Sequence, residues 1–260
     1  TAKDKVFARV FSYAIVQICV GLIFYILQAY KGKKFFDKGY WKFALAFNLP
    51  LIPHYLSQNV LGQADRIMIG NMVGNSKAAI YSVAYTVASI MTLMINAINS
   101  SFIPSLYQNL DKKKYDKIEK GSFPLCIIIA IAVCGVMLIG PEVIRILASK
   151  EYAEAIYCIP PVAASIFFTY LYTLFINVEF YFEKTTYSMI VSVLGAILNV
   201  FLNYILIPKF GYIAAGYTTL VCYILFAVGH GCLCVSLKKM ANIAQPLFSI
   251  HKIIVLSIVL

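Results

Sequence analysis

WKFALAFNLPLIPHYLSQNVLGQADRIMIGNMVG, residues Trp41–Gly74, decides what kind of protein this is. Between Lys42 and Met72 the only charged side chains inside the run are Asp65 and Arg66. As one straight helix that run would be ~46 Å long at ~1.5 Å per residue. The hydrocarbon core of a bilayer is only ~30 Å thick. Tilt absorbs part of the excess. Pro50 and Pro53 can kink the remainder, because each removes a backbone donor and crowds the preceding turn. At ~100° per residue, His54, Gln58 and Asp65 fall within ~40° of one another. Asn48, Asn59 and Arg66 form a second stripe about 100° away. An Asp or Arg in the middle of a span costs ~2.5–3.5 kcal/mol on insertion scales, so such residues turn to a bundle interior or to water and mark an ion or substrate path. The alternative for Asp65 and Arg66 is the outer interface, two to three turns before Gly74, where Arg snorkels. His54 has no cluster of ligand types at metal spacing, and no metal site is expected.

Outward from this stretch the pattern repeats. Apolar runs follow at Ala78–Gln108, Gly121–Leu147, Glu154–Phe182, Tyr187–Ile207 and Tyr212–Leu237, with Val6–Tyr30 before them and a further run starting near Ile253. Each full run reaches the ~20 residues that an α-helix needs to cross a membrane. Transmembrane strands would instead be ~10-residue alternating segments. The composition agrees: 61% of the 260 residues are hydrophobic and 13% charged, against about 45–50% and 25% in soluble domains. The expected fold is all-α, a polytopic transmembrane bundle of about seven spans and a remnant. With Thr1 at its start and the short apolar run Ile253–Leu260 at its end, the chain reads as an internal fragment cut inside its last helix.

The formal charge of +11 has two readings, nucleic acid or topology. Taking alternate connections as one side gathers fourteen Lys: Lys31, Lys33, Lys34, Lys38 and Lys42; Lys112, Lys113, Lys114, Lys117 and Lys120; Lys184; and Lys238, Lys239 and Lys252. The other side has seven, from Lys3, Lys5, Arg9, Lys77, Arg145, Lys150 and Lys209. The bias assigns the first set to the cytoplasm, and no nucleic-acid motif competes with it. The seven Cys lie in apolar runs without a CxxC pair, as small hydrophobes facing core or lipid.

Polar residues recur at helical spacing within other spans. Ser82, Tyr85, Ser89, Thr92, Asn96 and Asn99 share one face. Ser188, Ser192, Gly195, Asn199 and Asn203 share another, and Ser165, Thr169, Tyr172, Glu179 and Glu183 a third. Such seams either pack helices, letting amides bond across, or wall a hydrated cavity. Asn96 and Asn99 are cavity candidates, with His54, Gln58, Asn59, Asp65, Arg66 and Arg9. Glu179 is either an interfacial carboxylate or a protonatable one. Arg9 and Arg145 lie near outer span ends and either snorkel or attract an anion. No GxSxG, P-loop or HExxH is present, so no enzyme constellation is expected.

Trp41–Gly74 resembles the first helix of the second lobe of polysaccharide flippases, members of the multidrug/oligosaccharidyl-lipid/polysaccharide (MOP) exporter superfamily. AAIYSVAYTVASI, which follows it, and GAILNVFLNYILIPKFGYIAAGYTTL, Gly195–Leu220, are similar to the same family. LPLIPHYLS, DRIMIG, IYSVAY and LNYILIPKFGYIAAG are each weak alone but specific in this order. The resemblance implies one lobe of a two-lobed exporter fold: 1–30 as the last helix of the N-terminal lobe, 31–42 as a cytoplasmic inter-lobe loop, and 43–260 as the C-terminal lobe, truncated within its last helix. It implies flipping of an undecaprenyl-diphosphate-linked oligosaccharide across the cytoplasmic membrane by alternating access, for cell-surface polysaccharide. It also implies partners limited to that substrate, the lipid bilayer and polysaccharide-assembly proteins. No cofactor is implied beyond an H+ or Na+ gradient, which Asp65 or Glu179 would sense. The same superfamily exports drugs, so an ion-coupled small-molecule exporter is the alternative. A polytopic enzyme of polysaccharide assembly is a further one, and would need a long external loop with catalytic Arg or His.

Overall fold

The computed structural model describes residues 2–33 and 36–260, with side chains from Phe7 onward. Lys34 of the basic set lies outside the described residues, as do the side chains of Lys3 and Lys5. The described residues form helices joined by turns, with no strand among them. The all-α bundle expected from the sequence is what the chain forms.

Two compact units divide the chain at residues 46 and 47. The first holds α1 (Ala2–Gly32) and most of α2 (Lys38–Asn48). Asp37 starts α2: its Oδ1 accepts the backbone N–H groups of Gly39 and Tyr40 at 2.9 and 3.2 Å, filling donors that a helix start leaves open.

The second unit contains α3 (Leu51–Met72), α4 (Asn75–Asp111), α5 (Tyr115–Leu147), a 3-10 helix (Lys150–Cys158), α6 (Ile159–Tyr181), α7 (Thr185–Phe210), α8 (Ile213–Met240) and α9 (Ile250–Val259). The single run expected over Lys42–Met72 is in fact two helices, broken at Leu49–Pro50. Pro50 has no N–H to continue the ladder of α2 and takes the position before the first turn of α3. Pro160 and Pro161 likewise open α6, where the missing N–H costs nothing.

Among the described residues six helical segments are long and apolar enough to cross a membrane, not seven. The one that drops out is α3. Its 22 residues suffice in length, but His54, Gln58, Asn59, Gln63, Asp65 and Arg66 lower its hydropathy. Its own partners then compensate that polarity, as described below.

The helix α6 is apolar around most of its circumference and is the buried strut of the unit. It packs against α8, α4 and α5, while α3 lies along α7 and α7 along α8. Tight turns make neighbours antiparallel and collect the connections at two ends. At one end Glu154 joins Lys77 (2.6 Å) and the Tyr212 hydroxyl (2.8 Å). Burial, and then the hydrogen bond to Glu154, hold that hydroxyl protonated well above the ordinary tyrosine range. At the other end Tyr181 donates to Asp111 (2.6 Å) and Ser249 to Glu119 (2.7 Å).

The two ends stop their helices differently. At the Lys-rich end α4, α6 and α8 close alike. Lys113, Glu183 and Asn242 take φ of 53°, 55° and 54°. The next N–H reaches back to the carbonyls of Asn109, Glu179 and Lys238 at 2.8, 3.0 and 3.0 Å, which is the Schellman pattern. At the opposite end Gly74 and Gly211 supply the positive φ, 129° and 74°.

Candidate functional site

The apolar stripe of α3 is interrupted on its inward face by His54, Ser57 and Asp65, all buried. Eleven residues separate His54 from Asp65. Eleven residues are about three turns, or ~16 Å along the axis with only ~20° of angular drift. The same interval separates Ser188 from Asn199 and Ser192 from Asn203 on α7, and Thr219 from His230 on α8. Three helices thus carry polar residues in two layers at one matching spacing, and all of these residues are buried.

The layer nearer the Gly74–Gly211 end centres on Asp65, 2% exposed. Its Oδ2 accepts from the Tyr81 hydroxyl (2.7 Å) and the Thr219 hydroxyl (2.6 Å). Its Oδ1 accepts from the Asn203 amide (2.7 Å). That amide also donates to the Asn199 carbonyl (3.2 Å), and the Asn199 amide donates to Thr219 Oγ1 (3.3 Å). Thr218 donates to the Asn203 carbonyl. Residues of α3, α4, α7 and α8 therefore meet on one carboxylate. Three donors converge on its two oxygens and fill most of their acceptor capacity. Among the described residues no cationic group pairs with it.

The second layer, nearer the Lys-rich end, centres on Glu179. This residue lies in the last turn of α6, yet none of it is exposed. Side chains of α7 and α8 cover it. Ser188 donates to its Oε2, and His230 Nδ1 lies 2.9 Å from its Oε1. His54 Nδ1 meets the Ser192 hydroxyl at 2.6 Å. Between the layers the Tyr172 hydroxyl donates to Gln58 Oε1 at 3.3 Å, while Gln58 Nε2 is buried without a partner.

The second stripe of α3 behaves differently. Asn59 is exposed and returns its amide to the Tyr55 carbonyl at 3.0 Å. Arg66 is half-buried. Its guanidinium sits 4.3 Å from the Tyr85 ring centroid, Nη1 donates to Gln63 (3.3 Å), and Nε is buried without a partner. Through Tyr85 this stripe adjoins the polar seam of α4. Along that seam Thr92 and Asn96 are exposed, and Asn99 is half-buried with Asn177 donating to it at 2.6 Å. Arg9 is exposed on α1, in the other compact unit.

The structure therefore sorts the sequence candidates into buried residues (His54, Asp65, Glu179), half-buried ones (Gln58, Arg66, Asn99) and exposed ones (Asn59, Asn96). Sequence reasoning missed Tyr81, Thr218, Thr219 and His230 as partners. A signal for two of them exists, since Thr219 and His230 repeat on α8 the interval of His54 and Asp65 on α3. Of the Cys residues, Cys126, Cys158, Cys222 and Cys234 are buried and Cys19, Cys134 and Cys232 exposed, all as free thiols. Among the described residues no three His, Cys, Asp or Glu side chains gather as a metal site.

Comparison with known proteins agrees with this architecture. The sequence model of the family described as "Polysaccharide biosynthesis protein" matches residues 2–110. A protein of the Lsg locus of Haemophilus influenzae is 26% identical over 205 residues, which are 76% of this chain and 51% of that protein. An uncharacterised membrane protein of the same organism is 24% identical over 202 residues, 75% of this chain and 50% of that one. Another, from Methanocaldococcus jannaschii, is 25% identical over 187 residues, 71% and 44% of the two chains. The chain thus spans about half the length of the curated relatives it matches. Among solved structures, a MOP superfamily transporter from Pyrococcus furiosus superposes with a TM-score of 0.59 at 17% identity, over 72% of this chain and 43% of that one. A multidrug resistance MATE family transporter of the same superfamily gives 0.56 at 16%, with the same coverage. The chain is a multi-pass membrane protein with the fold of the MOP superfamily transporters, and in sequence it resembles the polysaccharide biosynthesis proteins.

Proposed function

We propose that the chain forms about half of a flippase that moves an undecaprenyl-diphosphate-linked oligosaccharide across the cytoplasmic membrane, for assembly of a surface polysaccharide. One observation carries this reading: the outward polar seam of α4 adjoins Arg66 on α3, with Thr92 and Asn96 exposed in mid-helix. Such side chains are costly against lipid, and they favour a water-filled lumen shared with the rest of the full-length protein. Amides and hydroxyls there replace water around a sugar, whose unmatched polar groups would each cost several kcal/mol in hydrocarbon. The half-buried guanidinium of Arg66 is a cation beside that seam for an anionic group such as the diphosphate. The lipid tail stays outside, and rocking of one lobe against the other alternates access. An H+ or Na+ gradient drives the cycle through Asp65 and Glu179, and polysaccharide-assembly proteins take up the product.

Deleting the gene is expected to accumulate lipid-linked oligosaccharide on the cytoplasmic leaflet, and no accumulation would overturn the reading. Arg66→Ala restored to that strain is expected to leave polymer output well below wild type at equal protein level. Normal output would assign Arg66 to interfacial snorkelling.

The shielding of Asp65 favours a second reading, ion-coupled export of a small molecule. Under it the deletion strain becomes sensitive to a lipophilic cation and its polymer output is unchanged.

A further inference from the structure

An apolar groove of about 720 Å3 opens on the surface of the second unit, between α8 and α9. Its floor is Phe168, Leu171 and Phe175 of α6. One wall is α8 from Ile224 to Ser236, and the other is α9 from Ile250 to Ile258. The route of the chain explains the gap. After Met240 the connection leaves α8 instead of folding straight back along it. Leu247 and Phe248 are buried, and Phe248 meets Phe175 of α6 edge-on at 5.4 Å. One residue later Ser249 donates to Glu119 of α5 (2.7 Å), and Lys252 lies 5.4 Å from the Phe123 ring centroid of the same helix. Thus α9 is fastened to α5 while α8 stays on α6, and the space between α8 and α9 is left unfilled.

The lining suits a hydrocarbon. Its two hydroxyls are both spent on their own helices: Ser236 donates to the Cys232 carbonyl (2.9 Å) and Ser257 to the Ile253 carbonyl (2.8 Å). Val228, Ile254 and Ile258 on the walls are all more than half exposed. The volume falls in the ~300–1,000 Å3 range of ligand-sized cavities.

The end of the groove near Met240 is chemically different. Lys239 comes seven residues after Cys232, and His251 seven before Ile258. Seven residues return a helix to within ~20° of the same direction. Each basic side chain therefore continues one wall. Both residues are exposed, and among the described residues neither pairs with a carboxylate. The groove is an apolar trough with a basic residue at the same end of each wall. From Ser236 to Ile224 it runs ~18 Å along α8. That accommodates the ~15 Å depth of one leaflet, half of a ~30 Å hydrocarbon core.

We propose that this groove holds one acyl chain of an anionic phospholipid from the leaflet at the Lys-rich end, with the lipid phosphate between Lys239 and His251. Lys239 supplies a charge and His251 a ring N–H. Charge selects the occupant, because a zwitterionic lipid brings its own cation to the same place and gains less from the basic pair. The diphosphate of a lipid-linked oligosaccharide is a different anion in a different place: Arg66 lies about two turns before Gly74, at the opposite end of the unit. The bound lipid fills the gap between α8 and α9, whatever the protein transports.

The test uses the full-length protein in phosphatidylcholine vesicles with a trace of phosphatidylglycerol carrying a diazirine midway along one acyl chain. After illumination, peptides covering 224–236 and 250–258 are expected to carry more label than Ile190, Leu194, Ile197 and Phe201 of α7, exposed apolar residues that report ordinary boundary lipid. Unlabelled phosphatidylglycerol should displace the label, and additional phosphatidylcholine should not. Lys239→Gln combined with His251→Gln should lower labelling of the groove about fivefold for each basic residue removed and leave α7 unchanged. If that double variant is not recovered, Cys232→Trp, which fills the groove from its α8 wall, should give the same selective loss. Equal labelling of the groove and α7 would overturn the proposal in favour of boundary lipid. An unlabelled groove would overturn it in favour of cover by another part of the full-length protein. Displacement by undecaprenyl phosphate but not by phosphatidylglycerol would overturn it in favour of a substrate tail.

Discussion

Asp65 shows what a charged residue needs in order to live inside this bundle. Three neutral donors from three other helices surround it, and no single one is dispensable without leaving part of a buried carboxylate unsatisfied. Tyr81→Phe removes one donor while keeping the ring that fills the site, and Tyr81 itself is fully buried. Thermal unfolding should show a loss of roughly 1.5–3 kcal/mol, the range for a hydrogen bond to a charged group. An unchanged midpoint would mean that the hydroxyl is replaced by water. The shared face of Asp65 with His54 and Gln58 was legible in the sequence, while its direction lay open between the bundle and the outer interface. Its partners were not legible. Tyr81 reads as one more aromatic in an apolar run, and Thr218 and Thr219 as ordinary small residues of a helix. Partnership across helices depends on which faces meet, and single-helix periodicity does not encode that.

At the scale of an element, α7 illustrates how close approach serves the polar layers. A Cβ on Gly195 would lie 2.7 Å from the Phe226 ring of α8. The missing side chain lets α7 and α8 come near enough for Asn199 to reach Thr219. Gly195→Ala is therefore expected to cost about 1–3 kcal/mol by overpacking. Gly135→Ala on α5, with nothing within 4 Å of the new Cβ, is expected to be neutral or to stabilise by up to about 1 kcal/mol. Equal midpoints for the two variants would remove the packing explanation. Element boundaries were partly legible. Pro50 predicted a disturbance and the structure turns it into a full break. The 3-10 helix before α6 carries no comparable signal, since EYAEAIYC reads as the start of an ordinary helix. His230 escaped notice for a related reason: a lone His within GHGCLC looks like a satisfied core residue until α6 supplies Glu179.

For the molecule as a whole, the sequence separates charge by side and the helices sort the connections into two ends in the same way. Lys112, Lys113, Lys114 and Lys184 gather at the end where Tyr181 meets Asp111, and Lys77 and Lys150 at the end where Glu154 meets Tyr212. With the exposed native Cys residues replaced, Lys150→Cys should react with an impermeant thiol reagent in intact cells. Lys112→Cys should react only after the membrane is opened. The reverse pattern would invert the orientation. The overall class was readable from apolar run lengths alone. The number of apolar spans was not, because α3 relies on neighbours to offset its polarity.

The eleven-residue interval shared by α3, α7 and α8 has a mechanical consequence. Two polar layers ~16 Å apart act like two bolts passed through the same three bars. Sliding one helix by a turn, or rolling it by a third of a revolution, would shear both bolts together and strand buried carboxylates at each level. These three helices must therefore travel as one block. Compliance is left to the place where neither bolt passes, the Pro50 break before α3.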